Sequence, residues 1–190
     1  MPKQTKSQIA TYISQLKRGE TAFWKSTAAQ RRVLIAKDVL KQIASKRLVP
    51  TTGVYTRGRL KSKPDASDSV STIGAREAIA AMPKCTACAV GSVLVSGALL
   101  GNRCTLGDLG QGYTNTENLS LDREHAARYF TISQLDLMEV AFEGDELGWL
   151  KISDKQLAMA RAFHNKHGTD KECLIAIMKN VIRNEGTFKP

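Results

Sequence analysis

Residues 85–102 read CTACAVGSVLVSGALLGN, an uncharged stretch of 18 residues that decides how the rest of the chain can fold. An apolar run of this length either spans a membrane or forms the central helix of a globular core. Glycine, serine and asparagine interrupt the run, and no aromatic residue flanks it, which disfavours a membrane span. We therefore predict a buried helix over residues 85–100, with amphipathic helices packed around it.

The sequence before this run has the apolar spacing of amphipathic helices. Residues 7–18 are predicted to form a helix that ends at Gly19, and a second helix is predicted to begin at Ser26 or Thr27. A short Ala-rich helix is predicted over residues 73–82. The apolar stripe of the second helix is predicted to consist of Val33, Leu34, Val39, Leu40 and Ile43.

Three helix starts after the run have the pattern of a capping box, in which Ser or Thr precedes Gln or Glu by three residues. The pairs are Thr131 with Gln134, Ser153 with Gln156, and Thr169 with Glu172, and the helices are predicted to stop at Gly144, Gly168 and Gly186. Residues 121–130 predict a further helix, and residues 142–146 predict a solvated acidic helix end. The β-branched residues 51–56 predict a short strand. We expect a mostly α protein, a compact bundle of about seven helices with a short β element near residues 51–56.

Positive charge is concentrated in the first third of the chain. Residues 1–65 contain 15 Lys and Arg against 3 Asp and Glu, whereas residues 66–190 contain 13 against 15, and the net charge is +10. This division predicts a basic helical N-terminal region over residues 1–56, a flexible basic loop or linker over residues 57–71, and a helical core region over residues 72–190. The first and third regions can form one domain.

The basic region predicts contact with nucleic acid, or with a host complex that carries nucleic acid. Its cations lie largely off the apolar stripe of the second helix and continue into the loop that follows. No helix–turn–helix pattern surrounds them, so phosphate contacts with weak sequence specificity and strong salt dependence are expected. The predicted contact residues are Arg31, Arg32, Lys37, Lys41, Arg57, Arg59, Lys61 and Lys63.

Cys85 and Cys88 form a C-x-x-C pair, a spacing that three kinds of chemistry use. A redox pair would follow a strand in a βαβ unit, which the pattern does not indicate. A nucleophile at Cys88 would lie in the first turn of the apolar helix, with His125 or His164 as base and Asp122 or Asp136 as its partner. A zinc site would use Cys85, Cys88 and Cys104, with a fourth ligand from Cys173, His125, His164 or His167.

Cys88 is nevertheless predicted to be a small buried apolar residue, because Gly91 and Ser92 beside it permit close helix packing. We accordingly expect no catalytic activity and no cofactor, with zinc as the alternative.

Four segments resemble an uncharacterised family of small proteins encoded by bacteriophages and prophages. They are residues 85–92 (C-x-x-C-A-V-G-S), residues 129–143, residues 177–190 (ending G-T-F-K-P) and residues 30–40. The resemblance implies a phage origin, expression in a bacterial cytoplasm, and an accessory role in host takeover or in countering a host defence. It implies no activity, cofactor or catalytic residue.

The sequence is also compatible with other functions. One is a protein–protein inhibitor of a host defence enzyme, which would present an apolar helix face. A variant would sequester a small anionic nucleotide signal as a homo-oligomer. A third is a Cys- or zinc-dependent enzyme built on Cys85 and Cys88. The N-terminal basic residues precede no apolar segment, so no secretory signal or membrane association is expected, and the cysteines are expected to be reduced in the cytoplasm.

Overall fold

The computed structural model describes residues 5–58, 74–82, 84–104, 125–144 and 152–190. Within these residues the chain forms seven helices and a small sheet, which confirms the mostly α prediction. The helices are α1 (Lys6–Lys25), α2 (Ala28–Ala44), α3 (Ala75–Ala81), α4 (Ala89–Gly101), α5 (Ile132–Glu143), α6 (Asp154–His164) and α7 (Asp170–Arg183). The strands are β1 (Leu48–Pro50), β2 (Thr56–Gly58) and β3 (Cys85–Ala87).

The uncharged run forms a strand followed by a helix, so the prediction of one helix from residue 85 is wrong at its start. Residues 85–87 are β3, and Cys88 is the N-cap of α4, with its sulfur accepting the Gly91 N–H at 3.5 Å. The strand forms because its backbone pairs on both sides in the sheet. The helix α4 is buried at every residue except Leu100, which is half-buried. No helix in the described ranges is long and apolar enough to cross a membrane.

The sheet has the order β1-β3-β2, with β1 parallel and β2 antiparallel to the central strand. Leu48 pairs with Cys85, and Thr56 pairs with Ala87. The predicted strand over residues 51–56 is therefore misplaced. Residues 51–55 connect β1 to β2 and turn at Gly53, whose φ of 68° is the left-handed conformation that glycine adopts readily.

The helix α1 continues through Gly19, where the sequence predicts a stop. An interior glycine costs about 1 kcal/mol in helix propensity. The turn after it carries Phe23, which is buried, and Trp24, which packs on the core, and these contacts outweigh that cost. The apolar stripe of α2 is also rotated from the prediction. Ile35 is fully buried with Val39, whereas Leu34 keeps 39% of its surface exposed.

The three predicted N-caps are confirmed, but only Ser153 forms the complete capping box, with Gln156. Thr131 accepts the Gln134 N–H, while the Gln134 side chain bonds Phe188 instead: its amide donates to the Phe188 carbonyl (3.2 Å) and accepts the Phe188 N–H (2.5 Å). Thr169 accepts the Glu172 N–H. Gly144 ends α5 in the left-handed conformation as predicted, whereas α6 ends at His164, before Gly168.

A single cluster of buried apolar side chains extends from Leu16 in α1 to Phe188 after α7. The described parts of the basic N-terminal region and of the C-terminal region therefore share one core. The short helix predicted over residues 73–82 is α3. Residues 59–73 and 121–124, which include most of the predicted linker and the start of the helix predicted over 121–130, lie outside the described residues. The prediction of that helix is wrong at residues 127–130, which form a turn and a bend.

Candidate nucleic-acid interface

Two of the predicted phosphate-binding residues, Arg31 and Arg32, make contacts within the protein. Arg31 Nη1 donates to the carbonyls of Trp24 and Ser26, and thereby caps the end of α1. Arg32 Nε donates to the Gly186 carbonyl at 2.5 Å. Burial, together with the neighbouring charge of Arg31, lowers the pKa of Arg32. These contacts occupy part of each guanidinium group, so both arginines have a structural role that their position in the sequence does not indicate.

Three other predicted residues are exposed. Lys37 and Lys41 lie one turn apart on the outer surface of α2, and Arg57 lies on β2. Arg59, Lys61 and Lys63 are outside the described residues. The structure therefore leaves Lys37, Lys41 and Arg57 accessible to a large anion.

Both carboxylates between residues 5 and 58 are engaged by internal partners. Glu20 accepts a hydrogen bond from Arg76 Nη1 at 2.6 Å. Asp38 accepts one from Gln42 Nε2 at 2.6 Å, and burial raises its pKa against the opposing effect of the hydrogen bonds from Gln42 and Ser96. The exposed charged side chains of this region are all cations: Lys6, Lys17, Arg18, Lys25, Lys37, Lys41, Lys46 and Arg57.

We call this set the cationic surface. Lys17 lies 3.5 Å from Glu77, and this is the one ion pair that the set makes within the described residues. Exposed charges of one sign with few neutralising partners attract polyanions over a distance set by salt screening.

The turn that joins β1 to β2 is held by three carboxylates from α5 and α7. The Thr52 N–H donates to Asp170 (2.9 Å) and the Gly53 N–H donates to Glu143 (2.8 Å). The Tyr55 hydroxyl donates to Glu139 at 2.5 Å. These bonds fix the point from which the basic residues after β2 continue. The prediction of a solvated acidic end at residues 142–146 is wrong for Glu143, which accepts a hydrogen bond from the Gly53 N–H. Its partner lies in a turn that is distant in sequence, so the local pattern does not indicate it.

The C-x-x-C pair is deeply buried. Burial raises the pKa of Cys85 to about 11. Burial raises the pKa of Cys88 still further, and the charges of Glu143 and Glu139 act in the same direction. A helix N-terminus ordinarily favours a thiolate, but here desolvation is the larger effect. Both cysteines are therefore thiols, and Cys88 packs as the buried apolar residue that the sequence predicts.

The predicted zinc ligands are distributed over the fold. Cys173 donates its S–H to the Ala141 carbonyl at 2.9 Å, and His167 Nδ1 lies 2.8 Å from the Phe163 carbonyl. Cys104 is only half-buried. Across the described ranges, no group of three or more His, Cys, Asp or Glu side chains is placed to hold a metal ion.

An open groove runs between α2 and α7, next to the cationic surface. Its volume is about 610 Å³, and Val33, Leu34 and Ile182 supply its apolar lining. Lys37 and Glu185 supply charged lining. Leu34 is one of two large apolar side chains exposed in the described part of the chain, and the other is Met159.

No protein-family model, curated protein or solved structure matches this chain. The resemblance to phage-encoded proteins therefore stays a prediction.

Proposed function

We propose that the protein binds nucleic acid, or a host complex that carries nucleic acid, through phosphate contacts made by the cationic surface. The observation that supports this is the internal use of Glu20 and Asp38, which leaves the exposed charge of residues 5–58 wholly positive. Lys37, Lys41 and Arg57 are the exposed members that the sequence also predicts. Arg59, Lys61 and Lys63 would extend the contact beyond β2.

Binding of this kind depends little on the nucleotide sequence. Lysines on a helix surface contact phosphates, which every sequence presents alike, and base-edge contacts would require side chains that enter a groove. We therefore propose weakly specific binding whose affinity depends on salt. Following the resemblance to phage-encoded proteins, the setting would be a bacterial cytoplasm during infection, in host takeover or counter-defence.

Replacing Lys37 and Lys41 together with glutamine is expected to weaken duplex binding and to flatten its salt dependence. Removing one phosphate contact lowers the slope of log affinity against log salt by about 0.9. The measurement is fluorescence anisotropy of a labelled duplex between about 50 and about 200 mM salt, the range over which such affinities change most visibly. Both side chains are exposed, so the melting temperature should stay unchanged.

The matched control replaces Lys155 on α6 and Lys171 on α7, two exposed lysines, with glutamine. It removes the same amount of charge from helices outside the cationic surface. It should leave the slope almost unchanged. Equal losses of affinity in both double variants would show that only the net charge matters and not the position of the lysines. An affinity that does not change with salt would reject the proposal.

The groove between α2 and α7 favours a second candidate, in which the protein inhibits a partner protein through an apolar contact. Leu34 is the exposed apolar group at this site. Under this candidate, Leu34→Asp should release a bacterial partner that the unchanged protein retains through nuclease and high salt. Met159→Asp, at the other exposed apolar side chain, is the control and should retain it. Co-purification with mass spectrometry measures both, and a partner held equally by all three proteins would exclude the groove.

A further inference from the structure

The indole of Trp24, near the end of α1, lies close to one guanidinium group from the next helix and one from a distant part of the chain. Arg103 Cζ is 3.8 Å from the centre of the Trp24 ring, and Arg31 Cζ is 5.5 Å from it. The indole N–H donates to the Gly101 carbonyl at 2.8 Å, and the ring stacks on Tyr129 with centroids 6.3 Å apart. The aromatic group is therefore held in place, and the arginines gather around a fixed ring.

A third arginine joins this group. Arg128 Nη1 donates to the Arg103 carbonyl at 2.6 Å. Burial raises the pKa of Tyr129, while the charges of Arg128, Arg103 and Arg31 all act to lower it. We call Arg31, Arg103 and Arg128 the arginine cluster.

No carboxylate of the described residues forms an ion pair with the arginine cluster. The ion pairs that the described residues form, Lys17 with Glu77 and Arg76 with Glu20, lie outside the cluster. The contrast with Arg76 is informative, because that arginine is fully buried and does have an acid partner. In the cluster, Arg31 Nε is buried without a hydrogen-bond partner in the described structure, while Arg103 and Arg128 are exposed to solvent.

Cation–π contacts offset part of the repulsion between like charges, but each contributes only about 0.5–2 kcal/mol. They supply no hydrogen-bond acceptor, and Arg31 Nε has none in the described structure. A bound anion would supply both the missing charge and the missing acceptors. Guanidinium groups match phosphate best, because their paired N–H donors engage two oxygens at once.

We propose that the arginine cluster is a binding site for a phosphate group beside Trp24, presented either by a nucleic-acid backbone or by a free nucleotide. The site does not depend on the lysines of the cationic surface. The arginine cluster could bind phosphate even if those lysines have no role in binding.

The test is isothermal titration calorimetry with three probes: inorganic pyrophosphate, a mononucleotide and a single-stranded oligonucleotide. Arg103→Gln and Arg128→Gln, made separately, remove exposed guanidinium groups, and Arg183→Gln on α7 removes one elsewhere as the matched control. Each cluster variant is expected to weaken binding about tenfold or more, as expected for a hydrogen bond to a charged group. Arg103→Lys should weaken it too, because it keeps the charge but loses the paired donors.

The probes distinguish the two sources of phosphate. Arginine-dependent binding of pyrophosphate or the mononucleotide supports a free nucleotide as ligand, and arginine-dependent binding of the oligonucleotide alone supports a nucleic-acid backbone. The Lys37 and Lys41 double variant should still bind pyrophosphate wherever the unchanged protein does, so the two proposals can fail separately. The inference is overturned if no probe binds, or if Arg183→Gln weakens binding as much as the cluster variants do.

Discussion

Gly91→Ala is expected to unfold the protein or to leave it barely stable. A Cβ at this position would lie 1.6 Å from the Tyr55 carbonyl oxygen and 2.6 Å from its carbon. Both atoms belong to the backbone before β2, so no side-chain rotation relieves the overlap. The first turn of α4 would have to separate from the sheet. We expect a loss of about 4 kcal/mol or more in the free energy of unfolding, a size that single substitutions rarely reach.

The control is Gly19→Ala in the interior of α1. A Cβ there meets nothing within 4 Å, so the substitution should stabilise the protein by about 0.5–1 kcal/mol through helix propensity. Denaturant unfolding followed by circular dichroism measures both variants. If the free energy of unfolding of Gly91→Ala is within about 1 kcal/mol of that of the unchanged protein, the close approach of the turn to α4 is incorrect.

Arg76→Met is the second substitution with a large expected effect. Arg76 is fully buried, and its Nε and Nη2 donate to the carbonyls of Leu99 and Leu100 at the end of α4, at 2.7 and 3.0 Å. Its Nη1 donates to Glu20. Methionine keeps the unbranched apolar part of the side chain but leaves two carbonyls and a carboxylate without their donor. A buried acceptor left without its donor costs about 1–3 kcal/mol, and with two such carbonyls and the partly exposed Glu20 affected we expect a loss of about 3–5 kcal/mol.

Lys17→Met is the comparison for this variant, since it breaks the exposed contact with Glu77 and should cost less than about 1 kcal/mol. A double variant, Arg76→Met with Glu20→Leu, should recover part of the stability, because it removes the carboxylate that the single variant leaves unpaired. Denaturant unfolding gives the free energy of unfolding of all three variants. An effect at Arg76 as small as that at Lys17 would show that the buried network contributes little.

The sequence predicts those features that depend on neighbouring residues. The N-caps at Thr131, Ser153 and Thr169 are confirmed because a cap bonds within its own first turn. The exposure of Lys37 and Lys41 follows in the same way from the period of α2. The mostly α prediction of about seven helices is therefore confirmed even where helix boundaries move, whereas the single β element that the sequence predicts is a sheet of three short strands in the structure.

The features that the sequence misses depend on distant partners. Residues 85–87 form a strand because β1 and β2 pair with them, and the uncharged run by itself has no sign of those strands. Arg31 and Arg32 have the charge pattern of surface residues, yet backbone carbonyls at Trp24 and Gly186 accept their hydrogen bonds. The arginine cluster is assembled from three separate segments, so no local pattern could predict it.

The bond between Gln134 and Phe188 has a consequence for how the molecule matures on the ribosome. Synthesis proceeds from the N-terminal end, so α5 emerges well before the tail that completes it. Until residue 188 arrives, the Gln134 amide lacks both of its partners, and Phe163 lacks the ring that packs against it at 5.3 Å. A nascent chain therefore cannot close the interior beside α5 and α6 until residue 188 has been made, and Arg32 in α2 likewise lacks the Gly186 carbonyl until then.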